Sequence, residues 1–226
     1  NVATVVATDG DSGSNKTNLD GDYTVTLTGA AAATDIIAID ANTSGHITGT
    51  GITTFTGTAA NIATVVATEA DSGSNKINLD TDFTATVDAG SVAASDLNTI
   101  SGKTEGTVTA TAATAITGTA TAVAAVVADG QISVDGDYNV TLTGSAAAAD
   151  VIAIDADTSG HITAAGVTAL TGTAANVATV VATDGDSGSN KISLDGDYTV
   201  TLTGATAASD IISIDANTNG HITGTG

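Results

Sequence analysis

In Tyr23-Thr-Val-Thr-Leu27, the apolar residues Tyr23, Val25 and Leu27 alternate with Thr24, Thr26 and Thr28, and Gly29 ends the run. A period of two marks a strand with one face buried. Ile52-Thr-Thr-Phe55, ahead of Thr56-Gly57, carries a shorter version of the same pattern. The Ala-rich segments keep a different rhythm. In Thr58-Ala-Ala-Asn-Ile-Ala-Thr-Val-Val66, residues Ile62, Val65 and Val66 fall at i, i+3 and i+4, and Thr58 stands where a helix N-cap belongs. Ala93, Leu97 and Ile100 are spaced in a similar way. The pattern predicts short strands at two places in each turn of the chain, with a short helix or helical turn beside them.

These elements recur. Residues 1–51 match residues 176–226 at 45 of 51 positions, and two more divergent copies lie between them. The aromatics Tyr23, Phe83, Tyr138 and Tyr198 mark equivalent positions. The middle spacing is short because Ala128-Asp-Gly-Gln-Ile132 replaces the longer Ala182…Ile192, while one residue is added near Asp88–Gly90. Each copy divides again into two halves of about 30 residues, a period that points to stacked modules.

The fold class expected from this pattern is mainly β: a repetitive β-solenoid, or parallel β-helix, with coils of about 30 residues and one short Ala-rich helical turn per coil. It would form one repetitive segment over 1–226, with copies at approximately 1–60, 61–121, 122–175 and 176–226. Equivalent inward positions then form ladders: Leu27/Val87/Leu142/Leu202, Ile39/Ile100/Ile154/Ile214 and Phe55/Ile116/Leu170. A tandem of immunoglobulin-like domains is the competing all-β arrangement, but the repeat is too short for one and the chain has no Trp.

Composition narrows the function. Thr (44 residues), Ala (43) and Gly (26) make up half of the chain, and Pro, Cys, Met, Trp and Arg are absent. Four lysines stand against 25 acidic residues, for a formal net charge of −21. Nucleic-acid binding needs a basic surface, and an anionic membrane surface repels such a chain. No apolar run approaches the roughly 18 residues of a membrane-spanning helix. Without Cys there is neither a disulfide framework nor a thiolate metal site.

Candidate ligands cluster only in the acidic loops, where Asp-Gly-Asp-Ser-Gly-Ser-Asn is followed by Leu-Asp-Gly-Asp. These supply Asp9, Asp11, Asp20 and Asp22 in the first copy and Asp184, Asp186, Asp195 and Asp197 in the fourth, with Glu69, Asp71, Asp80 and Asp82 in the second. Hard oxygen donors at alternate positions suit Ca²⁺. The same residues are also what solvated turns are made of, and Gly13 stands where an EF-hand would place its third oxygen ligand. Both readings stand, and no cofactor is required by either. His46, His161 and His221 sit in a repeated Gly-His-Ile-Thr, too far apart to share a metal, and Thr107 takes the same place in the second copy. They read as surface residues. A pattern copied along a chain offers no single preorganised pocket, so no enzyme is expected. The exposed rows Thr24/Thr26/Thr28 and Thr199/Thr201/Thr203 resemble the flat threonine arrays of ice-binding solenoids, against the simpler reading of Thr as a favoured strand residue.

The phrases Leu170-Thr-Gly-Thr-Ala-Ala-Asn-Val-Ala-Thr-Val-Val181, its degenerate copy at 116–127, and Ser95-Asp-Leu-Asn-Thr-Ile-Ser-Gly-Lys-Thr-Glu-Gly106 are similar to the β-strand-repeat regions of very large bacterial cell-surface and secreted proteins, notably cyanobacterial ones. The resemblance extends over the whole chain. It implies an extracellular, acidic structural or adhesive protein exported by a dedicated secretion system. The expected function is therefore a structural protein forming an extracellular rod or filament, with the stalk of a bacterial adhesin, stabilised by calcium, as the alternative. The expected partners are further copies of the same repeat, in one long chain or in subunits joined head to tail. Since the chain opens and closes inside a repeat, the reading expects it to be a window on a longer polymer.

Overall fold

The protein is described by a computed structural model covering residues 2–8, 19–69, 77–185 and 192–225. In chain order the elements are α1 (Val2–Ala7), β1 (Val25–Ala32), α2 (Ala33–Asp40), β2 (Ile47–Gly57), α3 (Ala59–Ala67), β3 (Ile77–Leu79), β4 (Thr84–Val87), β5 (Gly90–Ala93) and α4 (Ala94–Ser101). There follow β6 (Val108–Thr109), β7 (Ala113–Gly118), α5 (Ala120–Ala128), β8 (Ile132–Ser133), β9 (Asn139–Ala147), α6 (Ala148–Asp157) and β10 (Ile162–Gly172). The last elements are α7 (Ala174–Ala182), β11 (Ile192–Leu194), β12 (Thr199–Thr203), α8 (Ala208–Asp215) and β13 (Ile222–Thr225).

Two compact units result. The first comprises residues 1–89, 99–111 and 131–133, and the second 90–98, 112–130 and 134–226. The first holds a six-stranded sheet in the order β1-β2-β4-β6-β8, with β3 also paired to β2. The second holds a seven-stranded sheet in the order β13-β12-β10-β9-β7-β5, with β11 also on β10. All the pairs are parallel, so each strand lies beside the corresponding strand of the adjacent half-repeat: Val25 beside Ile47, Thr54 beside Thr84, Ile116 beside Val140 and Ala169 beside Thr199. Parallel neighbours need a crossover, and the Ala-rich helices supply it.

The expectation of a mainly β solenoid is therefore corrected. The described residues form an α/β fold with eight helices and two parallel sheets of six and seven strands. The Ala-rich segments, where a short helix or helical turn is expected, make full helices of eight to ten residues from α2 onward. Two causes combine. Thr58, Thr119 and Thr173 each accept the backbone N–H three residues on, capping α3, α5 and α7. The helices α2, α6 and α8 start from Ala and lack a side-chain cap, but each has an Asp in its first turn facing the positive end of the helix dipole. The Ile, Val and Thr content of these segments favours strand by propensity. Burial of one helical face outweighs that preference, as at Ile62, Val65 and Val66 of α3 and at Ile36 and Ile39 of α2.

The cores lie between sheet and helices. Of the ladder positions, Ile39, Ile100, Ile154 and Ile214 are buried, as are Phe55, Ile116 and Leu170, but the Ile39 series runs along helices, not strands. Phe55 and Phe83 meet edge to face, with ring centroids 4.9 Å apart. Thr24, Thr26, Thr28 and their counterparts Thr199, Thr201 and Thr203 are exposed.

Candidate functional site

Each copy contains one corner where the aromatic marker, an acidic turn and a Thr-x-Gly triplet meet. In the third copy Thr158 Oγ1 donates to the backbone carbonyl of Tyr138 at 2.6 Å and accepts from Gly160 N at 3.0 Å. Thr218 makes the same two bonds with Tyr198 and Gly220, and Thr43 with Tyr23 and Gly45. In the second copy Thr104 bonds the carbonyl of Phe83 and accepts from Gly106 N. A hydroxyl serves here because it donates and accepts at once. All four threonines are buried. The glycine is required by proximity: a Cβ on Gly160 would stand 2.1 Å from the Tyr138 carbonyl oxygen, and one on Gly45 or Gly220 would clash equally with Tyr23 or Tyr198.

The acidic turn docks on this corner through its backbone. Tyr23 N donates to Asp20 O, and Ser44 N donates to Gly21 O at 2.7 Å. Asp20, Asp22, Asp195 and Asp197 have exposed side chains in these turns. Asp9, Asp11, Asp71 and Asp186 lie outside the described residues. Asp184 is half-buried: its Oδ1 accepts from Leu194 N at 2.8 Å and its Oδ2 from Asn217 Nδ2 at 3.0 Å. Among the described residues, no group of three or more His, Asp or Glu side chains is arranged to hold a metal ion. The structure thus brings Asp184 toward the corner and leaves the described Asp-Gly-Asp carboxylates in solvent.

A relay of side chains ends on the aromatic. Tyr198 Oη donates to Asn217 Oδ1 at 2.6 Å, and Asn217 in turn holds Asp184. Burial, and then the charge of Asp184, push the Tyr198 phenol well above its ordinary value. Tyr138 Oη donates to Asp157 Oδ2 at 2.7 Å and is raised by burial first, then by that hydrogen bond and charge. In the second copy the marker is Phe83, which has no hydroxyl, and Lys103 stands at the place of Asn42 and Asn217. Its Nζ lies 3.9 Å from Glu69, the counterpart of Asp184. The residues of this corner change together from copy to copy.

The histidines act through the main chain. Val25, Val140 and Val200 donate their N–H to the carbonyls of His46, His161 and His221, and Ala85 donates to Thr107. This explains why Thr can replace His. Sequence reasoning passed over Thr43, Thr104, Thr158 and Thr218, although the Thr-x-Gly triplet is kept in all four copies. Its signal was the pairing of an unvarying Thr with an unvarying Gly where neighbouring positions vary.

Two grooves border α1. One, of about 300 Å³, is lined by Val2, Ala3, Leu27, Ala31 and Ile36; the other, of about 310 Å³, by Val2, Val5, Val6, Leu19 and Val25. Asp35 also lines the first and Tyr23 the second, and the remaining walls are Thr and apolar side chains. Comparison of the chain with protein-family models, with curated proteins and with solved structures finds no match.

Proposed function

We propose that this chain is a structural protein of the cell exterior, a segment of a filament built by laying one repeat on the next. One observation supports it above the others: the residues that recur in every copy join neighbouring segments. The Thr-x-Gly clasp, the carbonyl of His46 and its counterparts, and the parallel ladders each tie a strand to the following one. The resemblance to β-strand-repeat regions of bacterial surface proteins and the acidic, Cys-free composition agree with an exterior location. In this reading the chain has no catalytic part. Calcium is not part of this reading: Asp184 uses both carboxylate oxygens within the fold, and Asp9, Asp11 and Asp186 lie outside the described residues.

Immunogold electron microscopy of the native cells tests the proposal. Label along fibres at the surface supports the filament. Label on stalks that carry distinct heads moves the reading to an adhesin stalk. Label confined to the cytoplasm rejects both.

A further inference from the structure

Every copy carries the same five-residue phrase around its aromatic marker: Asp22-Tyr-Thr-Val-Thr26, Asp82-Phe-Thr-Ala-Thr86, Asp137-Tyr-Asn-Val-Thr141 and Asp197-Tyr-Thr-Val-Thr201. The third copy departs at the central position, with Asn139 where the others have Thr24, Thr84 and Thr199. That exchange turns Asn139-Val-Thr141 into an Asn-x-Ser/Thr glycan acceptor. Asp137 stands two residues ahead of the Asn. An acid at that place, with the Asn and the hydroxyl that follows, is the set of groups that bacterial N-oligosaccharyltransferases read.

Strand alternation sends all three groups to one side. Tyr138 and Val140 are 1% and 0% exposed, whereas Asp137, Asn139 and Thr141 are exposed. Asn139 opens β9, and its neighbour on β7 is Ala115, too small to shade it. Its Oδ1 accepts from His161 N at 2.9 Å. Only the oxygen of an amide can accept that bond, which fixes the orientation of the group. Nδ2, the atom that would carry a glycan, has no partner among the described residues. A second phrase, Asp40-Ala-Asn42-Thr-Ser44, has the same order of acid, amide and hydroxyl in the opposite setting. Asp40 is half-buried, Asn42 Oδ1 accepts from the Tyr23 hydroxyl at 3.0 Å, and the Ser44 hydroxyl donates to Gly21 O at 2.9 Å. In Asn15-Lys-Thr17 the acid is missing, with Gly13 in its place.

We propose that Asn139 is an N-glycosylation site, which takes an oligosaccharide from a polyprenyl-pyrophosphate donor through a transferase of the bacterial type. Asn139 Nδ2 bonds the anomeric carbon of the sugar while the bond from that carbon to the pyrophosphate oxygen breaks. The amide gives up one proton to the transferase, and the lipid pyrophosphate leaves with the electron pair. The amide oxygen is untouched, so the bond from His161 N survives the transfer. Asp137 and Thr141 are recognition residues: they flank the acceptor on the same exposed side and leave its conformation to the strand. The glycan then stands on the solvent side of the sheet, where a bulky, solubilising group disturbs no packing. The inference needs the exterior location of the reading above but not the filament.

Glycopeptide mass spectrometry of the chain isolated from native cells tests it. Cleavage before aspartate releases residues 137–149, in which Asn139 is the only Asn. This peptide is expected to carry an oligosaccharide that fragmentation places on Asn139, while the peptide opening at Asp40 stays bare. The roles of the residues are read by exporting the 226-residue chain in a bacterial host that holds such a transferase and its lipid-linked donor. Asn139→Gln and Thr141→Val are expected to lose the glycan, Asp137→Asn to lose most of it, and Thr141→Ser to keep it. Thr199→Asn rebuilds the phrase in the fourth copy and is expected to gain a second glycan, on the peptide 197–209. Each of these side chains is exposed, and an unchanged circular dichroism spectrum shows that the fold is kept. An unmodified 137–149 peptide in the native chain overturns the inference. So do a sugar on Thr141, Thr143 or Ser145 in place of Asn139, modification of Asn42 instead, and full occupancy in Asp137→Asn. Gold-labelled surface fibres with a bare Asn139 would reject this site alone; a glycan on Asn139 without fibres would reject only the filament.

Discussion

Ala33–Ile47 in the first copy and Ala208–Ile222 in the fourth differ at three of fifteen positions: Thr34/Ser209, Ala38/Ser213 and Ser44/Asn219. They fold alike, with helices of eight residues, the same Thr-x-Gly clasp and the same strand beyond it. Their burial differs sharply. Ala33 is buried and Ala208 exposed; Ile36 is 1% exposed and Ile211 37%. Ile39 and Ile214, one turn further along the same face, are buried in both. One repeat therefore carries the instructions for its own conformation and for half of its core. The other half is completed by the neighbour: α3 and the later part of β2 in the first copy, which have no counterpart beside α8 among the described residues. This is the physical content of a repeat that cannot bury its apolar face alone.

The clasp offers the strongest test of what both segments share. Gly45→Ala places a Cβ against the Tyr23 carbonyl, and the following β2 is held by β1, β3 and β4, so the corner has no room to relax. A loss on the order of 4 kcal/mol in urea denaturation is expected, from strain against fixed main chain. Gly220→Ala creates the same clash with Tyr198, but β13 pairs only with β12 and can shift. It should cost roughly half as much. Equal and small losses at both sites would show that the close approach is not a constraint.

The helix face tests what they do not share. Ile36→Ala removes a fully buried side chain and should cost about 3 kcal/mol, whereas Ile211→Ala, at the equivalent position, should cost under about 1 kcal/mol. The comparison is made on the isolated monomer. Similar costs for the two would mean that Ile211 has a partner within its own chain.

Much of this was legible in the residues. The alternation in Tyr23–Leu27 and Ile52–Phe55 marks strands that the structure contains from Val25 and through β2, and the spacing of Ile62, Val65 and Val66 marks α3. The length of the helices was not legible, because Ile36-Ile37 and Val65-Val66 satisfy strand propensity locally and become helical only where the sheet takes one face. The Ile39 ladder was correctly placed inside but on the wrong kind of element for the same reason. At the corner the carboxylates stand out in the sequence, since charge in a Gly-rich loop suggests a ligand. The constraint lay in uncharged Thr158 and Gly160, whose bonds go to the main chain of a residue about twenty positions away. Sequence spacing gives no warning of that partner.

The smallest expected difference between the two segments concerns charge. Asp40, at the end of α2, is half-buried, and its Oδ1 is enclosed without a hydrogen-bond partner; the equivalent Asp215 of α8 is exposed. Burial raises the Asp40 carboxyl above its ordinary value of 3.8, because desolvation penalises the charged form. A group whose native pKa is raised favours folding while it is protonated. That advantage is complete below pH 3.8 and is lost as pH rises through the higher native value, so at neutral pH the buried charge opposes folding. Asp40→Asn is then expected to raise the melting temperature at pH 7, with the gain shrinking as pH falls toward 3.8. Asp215→Asn should leave the melting temperature nearly unchanged at either pH, since its carboxylate remains in water. General repulsion among 25 acidic residues also weakens in acid, but salt screens it, whereas salt does little for a desolvated carboxylate. Thermal melts of both variants in 1 M NaCl therefore separate the two effects. Equal gains from Asp40→Asn and Asp215→Asn at pH 7 would assign the whole pH dependence to surface repulsion and remove any distinction between the covered and the uncovered helix.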